Sequence, residues 1–102
     1  MFGLVVRFEL RDVAAAEAFD GLVRETVEQI TALEPGTLVY ATHTVEDAPL
    51  SRVFYEIYRD RGAFAAHEQQ AHTLRFLRER EDHVASVRVE FLSPGAEKGL
   101  PA

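Results

Sequence analysis

Three consecutive segments decide the fold: TLVYATHTV (Thr37–Val45), EDAPLS (Glu46–Ser51) and RVFYEIYRD (Arg52–Asp60). The first and third are strand-like, dense in β-branched and aromatic residues. The middle one is a polar turn, so the two strands are expected to pair as a hairpin.

Both flanks of this hairpin read as helix. Upstream, Asp12 is suited to the N-cap, and residues 13–33 carry a stripe of Val13, Ala16, Phe19, Val23, Val27, Ile30 and Leu33, with Leu22 and Thr26 beside it. Glu17, Asp20, Arg24, Glu28 and Thr31 occupy the opposite face, and Pro35-Gly36 ends the helix. Downstream, Arg61 to His83 is helical again, in two pieces. A short piece carries Phe64 and His67; a longer one carries Leu74, Phe76, Leu77 and Arg80. The break is expected near Gln69–His72, although no Pro or Gly forces it there.

Outermost lie two more strands. In FGLVVRFEL, Phe2, Leu4, Val6, Phe8 and Leu10 form one apolar face, and Gly3, Val5, Arg7 and Glu9 form the other. In VASVRVEFL (84–92), Ala85, Val87, Val89 and Phe91 stand opposite Ser86, Arg88, Glu90 and Leu92. The order predicts an α+β fold, a ferredoxin-like β-α-β-β-α-β sandwich with helices on one face of a four-stranded antiparallel sheet. Residues 1–92 make the domain, and SPGAEKGLPA (93–102) is a tail with little structure of its own.

The other sheet face shows Arg7, Glu9, Arg88 and Glu90, whose opposite charges can pair across strands. The third strand adds either Arg52 and Glu56 or Val53, Tyr55 and Ile57, depending on register. A half-apolar open face on so small a sheet is expected to find a partner, and a symmetric homodimer is the simplest one.

Composition narrows the function. The chain has 102 residues, 47% hydrophobic and 27% charged, which suits one globular domain. A net charge of −6 argues against nucleic acid and against an anionic membrane surface. Cysteine is absent, which excludes disulfides, zinc thiolate sites and thiol nucleophiles. No apolar run approaches the roughly 20 residues of a membrane span. Met1-Phe2-Gly3-Leu4 lacks the basic start of a signal peptide, so a cytoplasmic protein is expected.

A spread-out pattern then comes into view: Glu34-Pro35-Gly36-Thr37-Leu38, Tyr55-Glu56-Ile57-Tyr58-Arg59-Asp60, and His67 followed by His72-Thr73-Leu74-Arg75-Phe76. It resembles the antibiotic biosynthesis monooxygenase family over roughly residues 2–92. The resemblance implies a dimeric α+β barrel with one cavity per subunit, between sheet and helices. It also implies oxidation of a small aromatic, phenolic or quinol substrate by O₂, with no metal and no cofactor. Tyr58 stands where many members have Trp; this chain contains neither Trp nor Asn, so the Asn, Trp and His set of the haem-degrading branch cannot be met.

Such chemistry needs a base near neutral pH, an apolar pocket and donors for a developing oxyanion. His72 is the first candidate for the base and His67 the second, each matching a histidine of the family string. They lie five residues apart, so one regular helix would separate them; they converge only across a break. Tyr58 could orient a phenolic substrate. His43 on the second strand suits an interface, and His83 suits the end of a helix. Two other functions compete: a non-catalytic small-molecule-binding or dimerisation module, and a non-oxidative isomerase on the same scaffold. Cavity character separates them. A closed apolar pocket with one inward His supports the oxygenase, a filled core the binding module, and an open polar pocket the isomerase.

Overall fold

A computed structural model describes residues 1–101; Ala102, the end of the expected tail, lies outside the described residues. The elements are β1 (Phe2–Leu10), α1 (Val13–Leu33), β2 (Thr37–Val45), β3 (Ala48–Tyr58), α2 (Arg61–Gln69), α3 (Ala71–Glu79), a 3₁₀ turn (Arg80–Asp82) and β4 (Val84–Leu92). The strands pair antiparallel in the order β2-β3-β1-β4, with the helices on one face. This is the ferredoxin-like sandwich read from the sequence.

Local signals place the helix starts. Asp12 accepts a hydrogen bond from the Ala15 amide at 2.7 Å, and Asp60 accepts one from the Ala63 amide at 2.8 Å. Asp60, the last residue of the segment read as the third strand, is thus the N-cap of α2. At the end of α1, Gly36 crosses so close to α2 that a Cβ there would lie 2.7 Å from the Ala63 Cβ. Between α2 and α3, Gln70 adopts an extended ψ of 142°, which supplies the expected break without Pro or Gly.

The hairpin turn is tighter than its composition suggests. Glu46-Asp47 alone makes it, with Asp47 at φ 61° in the left-handed region, and β3 begins at Ala48. Pro49 can belong to this strand because it falls in a register shift with no ladder partner on either side.

The alternating faces of β1 decide the layers. Phe2, Leu4, Val6, Phe8 and Leu10 are all buried beneath the helices. The pairing Leu4↔Glu56, Val6↔Phe54 and Phe8↔Arg52 turns Arg52, Phe54, Glu56 and Tyr58 to that same side. Val53, Tyr55 and Ile57 therefore take the open face. Two devices make the inward polar groups tolerable. Arg52 is held by both oxygens of Asp20 on α1, at 2.8 and 3.0 Å, and by the carbonyls of Pro49 and Ser51. Glu56 accepts a hydrogen bond from the Tyr58 hydroxyl at 2.6 Å. Phe8, Phe19, Phe54 and Phe76 interlock as the aromatic centre of the core.

Three sequence expectations need correction. Val13 and Leu33 are exposed because the ends of α1 overhang the sheet, and Leu22 takes a buried place. Arg7 and Arg88 do not pair with glutamates of the neighbouring strand, since the register sets them opposite each other. Each binds instead the glutamate two residues along its own strand, Glu9 at 2.7 Å and Glu90 at 2.9 Å. Finally, Val87, Val89 and Phe91 face the helical side, but β4 is an edge that the helices leave uncovered, and Phe91 is 62% exposed. After β4 the described residues form no helix or strand; Ser93–Ala96 and Leu100 border a pocket with Gly3, Tyr55 and Ile57 on the open face.

Candidate active site

A cavity of about 190 Å³ lies between the sheet and the α2–α3 pair. Its walls are mainly apolar: Leu4, Val6, Phe8, Phe54, Phe64, Phe76, Leu77, Val89 and Phe91. Six polar side chains join them: Tyr40, Glu56, His67, Glu68, Thr73 and Arg80. One histidine alone lines it. A wider groove of about 420 Å³ runs along α1 and β2, but its two buried-side charges, Arg52 and Asp20, are already spent on each other.

His67 comes from α2, buried at 6% exposure. Its ring lies among Tyr40, Tyr58 and Phe64, with centroids 5.6, 5.3 and 6.4 Å away. Its Nδ1 meets Glu34 Oε1 at 2.7 Å. His72, from the first turn of α3, meets Oε2 of the same carboxylate through its Nε2. Thr37 donates its hydroxyl to Glu34 Oε1 at 2.7 Å. Glu34 is placed here because α1 ends on it: its amide still bonds to the Ile30 carbonyl while Pro35-Gly36 turns the chain away. The kink at Gln70 swings α3 round so that both imidazoles reach one carboxylate. His72 does not line the cavity; it stands behind Glu34, beside an outer depression.

Tyr58 also sits behind the wall, fully buried, with its hydroxyl on Glu56. Burial pushes the Glu56 carboxyl up to about 7; the Tyr58 hydrogen bond opposes this, and the charges of Glu34 and Glu68 reinforce it. Burial first, and then the charges of Glu56 and Glu34, raise the Tyr58 and Tyr40 hydroxyls well above the usual phenol range, so both stay protonated. Arg80 enters the cavity from the 3₁₀ turn, its guanidinium 5.6 Å from the Phe8 ring centre and 5.9 Å from that of Phe76. Its Nε is buried with no hydrogen-bond partner among the described residues, and burial lowers the pKa of the group.

His43 lies outside this site, exposed on the open sheet face, with Nδ1 donating to the Val53 carbonyl at 3.0 Å. The backbone of His83 closes the 3₁₀ turn through its amide on the Arg80 carbonyl. Sequence reasoning did not single out Glu34, Glu56, Thr73 or Arg80. Glu34 and Glu56 stood within the family string, and a carboxylate next to a helix stop or inside a strand is the signal that could have found them.

The chain belongs to the antibiotic biosynthesis monooxygenase family, whose model matches residues 1–79. Among solved structures, a Nitrosomonas europaea protein put forward as an antibiotic biosynthesis monooxygenase is 27% identical, with a TM-score of 0.85 over 92% of this chain and 98% of that one. A Pseudomonas aeruginosa protein is 26% identical with a TM-score of 0.83, covering 93% and 94% of the two chains. A Mycobacterium tuberculosis protein is 25% identical with a TM-score of 0.85, covering 96% and 98%. No curated protein matches the chain. Among the described residues, no helix is long and apolar enough to cross a membrane.

Proposed function

We propose that the protein is a cofactor-independent monooxygenase that oxidises a small phenol or quinol with O₂. The observation that carries this reading is a single inward histidine on an apolar cavity, His67, whose second nitrogen is held by a buried carboxylate. That is the arrangement of a general base: Glu34 fixes the ring and leaves Nε2 free for a substrate proton. His67 takes the hydroxyl proton, and the electron-rich anion passes an electron to O₂. The radical pair joins at ring carbon, and loss of water leaves a carbonyl. One oxygen atom ends in the product and the other in water, so the ring is oxidised and O₂ is reduced. Arg80, unpaired in an apolar surround, stabilises the substrate oxyanion, and Tyr40 donates beside it. Tyr58 acts through Glu56, and His72 through Glu34; both are positioning groups.

The cavity volume suits a substrate of one or two rings. The same reading carries a homodimer formed through the open sheet face, where Val5, Val53 and Tyr55 remain partly exposed beside the tail. A cytoplasmic setting is in keeping with a chain that has no cysteine.

The test is oxygen uptake by metal-stripped protein with hydroquinones and naphthols, run beside His67→Ala. Uptake that persists without metal and falls on the order of 100-fold in the variant supports the reading. Uptake no faster than the spontaneous reaction on every substrate refutes it.

A further inference from the structure

We propose that His67, Glu34 and His72 form a proton relay from the cavity to the outer surface of the helical layer. Its use in turnover rests on the oxygenase reading; the relay itself is a property of the free protein.

The three side chains are almost wholly enclosed, at 7%, 4% and 9% exposure. A carboxylate so buried needs partners, yet one imidazole with the Thr37 hydroxyl would already supply them. Here two imidazoles address its two different oxygens, and they do so through different nitrogens. His67 uses Nδ1, which leaves Nε2 towards the cavity. His72 uses Nε2, which leaves Nδ1 on the side of a depression bordered by Glu25, Glu28 and Arg75. Neither remaining nitrogen has a hydrogen-bond partner among the described residues. The result is an unbroken chain with one open end inside and one outside, built across the Gln70 break.

Each group in the chain can accept at one atom and release at another. When His67 Nε2 takes a proton, its Nδ1 proton moves to Glu34 Oε1. The proton shared between Glu34 Oε2 and His72 Nε2 moves onto His72, which sheds one from Nδ1 to water. One proton enters, one leaves, and no electron moves.

The decisive measurement does not require turnover. The exchange of the His67 Nδ1 proton with solvent is followed by ¹⁵N NMR in the wild type, His72→Phe and His72→Gln. Glutamine can still hydrogen-bond to Glu34 Oε2 but cannot pass a proton on, so it separates a structural role from a relay. The relay requires exchange at least about tenfold slower in both variants, with the His67–Glu34 hydrogen bond retained in His72→Gln. If His72→Phe fails to fold, His72→Gln decides alone. Exchange as fast as wild type in His72→Gln overturns the relay. Oxygen uptake distinguishes the two readings: an inactive wild type with slowed exchange in the variants removes the oxygenase and keeps the relay. An active wild type with unaltered exchange does the reverse.

Discussion

Replacing Glu56 by glutamine should make the protein more stable at pH 8 and leave it nearly unchanged at pH 5. Glu56 is 5% exposed, and burial is the first cause of its raised pKa. Its carboxyl ionises near 7 in the folded chain against a reference value of 4.5. Between these values the native state binds more protons than the unfolded state, so stability falls as pH rises through the window. The contribution is fully present below pH 4.5 and is lost above about 7. A shift of this size corresponds to roughly 3 kcal/mol, at about 1.4 kcal/mol for each tenfold change. Glutamine has the same shape, carries no charge, and its amide oxygen can still accept from the Tyr58 hydroxyl. Urea unfolding of both proteins at half-unit steps from pH 4.5 to 8.5 measures the difference directly. The two curves should start together and diverge by an amount on the order of 3 kcal/mol, which for a chain this size is a gap of roughly 12 °C or more in Tm. A constant difference across the range would show that Glu56 does not titrate there, and the account of its burial would fail.

Three other outcomes follow from single contacts. Gly36→Ala would set a methyl 2.7 Å from the Ala63 Cβ, so the α1–β2 corner must move; a loss of about 1–3 kcal/mol in chemical denaturation is expected. Asp60→Ala removes the 2.8 Å bond to the Ala63 amide and should cost about 1 kcal/mol, with added fraying of α2 visible in amide exchange. Arg80→Gln removes the unpaired cation from an apolar wall: thermal stability should hold or rise, while binding of a phenolate falls on the order of 10-fold and binding of its methyl ether does not, as measured by calorimetry.

Much of this molecule was legible in its residues. Alternation alone fixes β1, because its two faces differ so sharply: five apolar side chains on one side, and Arg7 and Glu9 on the other. The stripe of α1, its Asp12 cap and the Pro35-Gly36 stop are equally local, and local signals survive without knowledge of the rest of the chain. The same holds for the demand that His67 and His72 meet only across a break.

What tertiary structure alone decided lies in β3 and around Glu34. Along RVFYEIY one face carries Val53, Tyr55 and Ile57 and the other mixes Arg52 and Glu56 with Phe54 and Tyr58, so alternation does not say which turns inward. Pairing with the apolar face of β1 makes the choice, and it sends Glu56 and Tyr58 to the cavity side while Asp20, 32 positions away, neutralises Arg52. The convergence on Glu34 joins residues 33 and 38 positions apart. No periodicity spans such distances; only the packing of α2 and α3 against the end of α1 brings one carboxylate between two imidazoles.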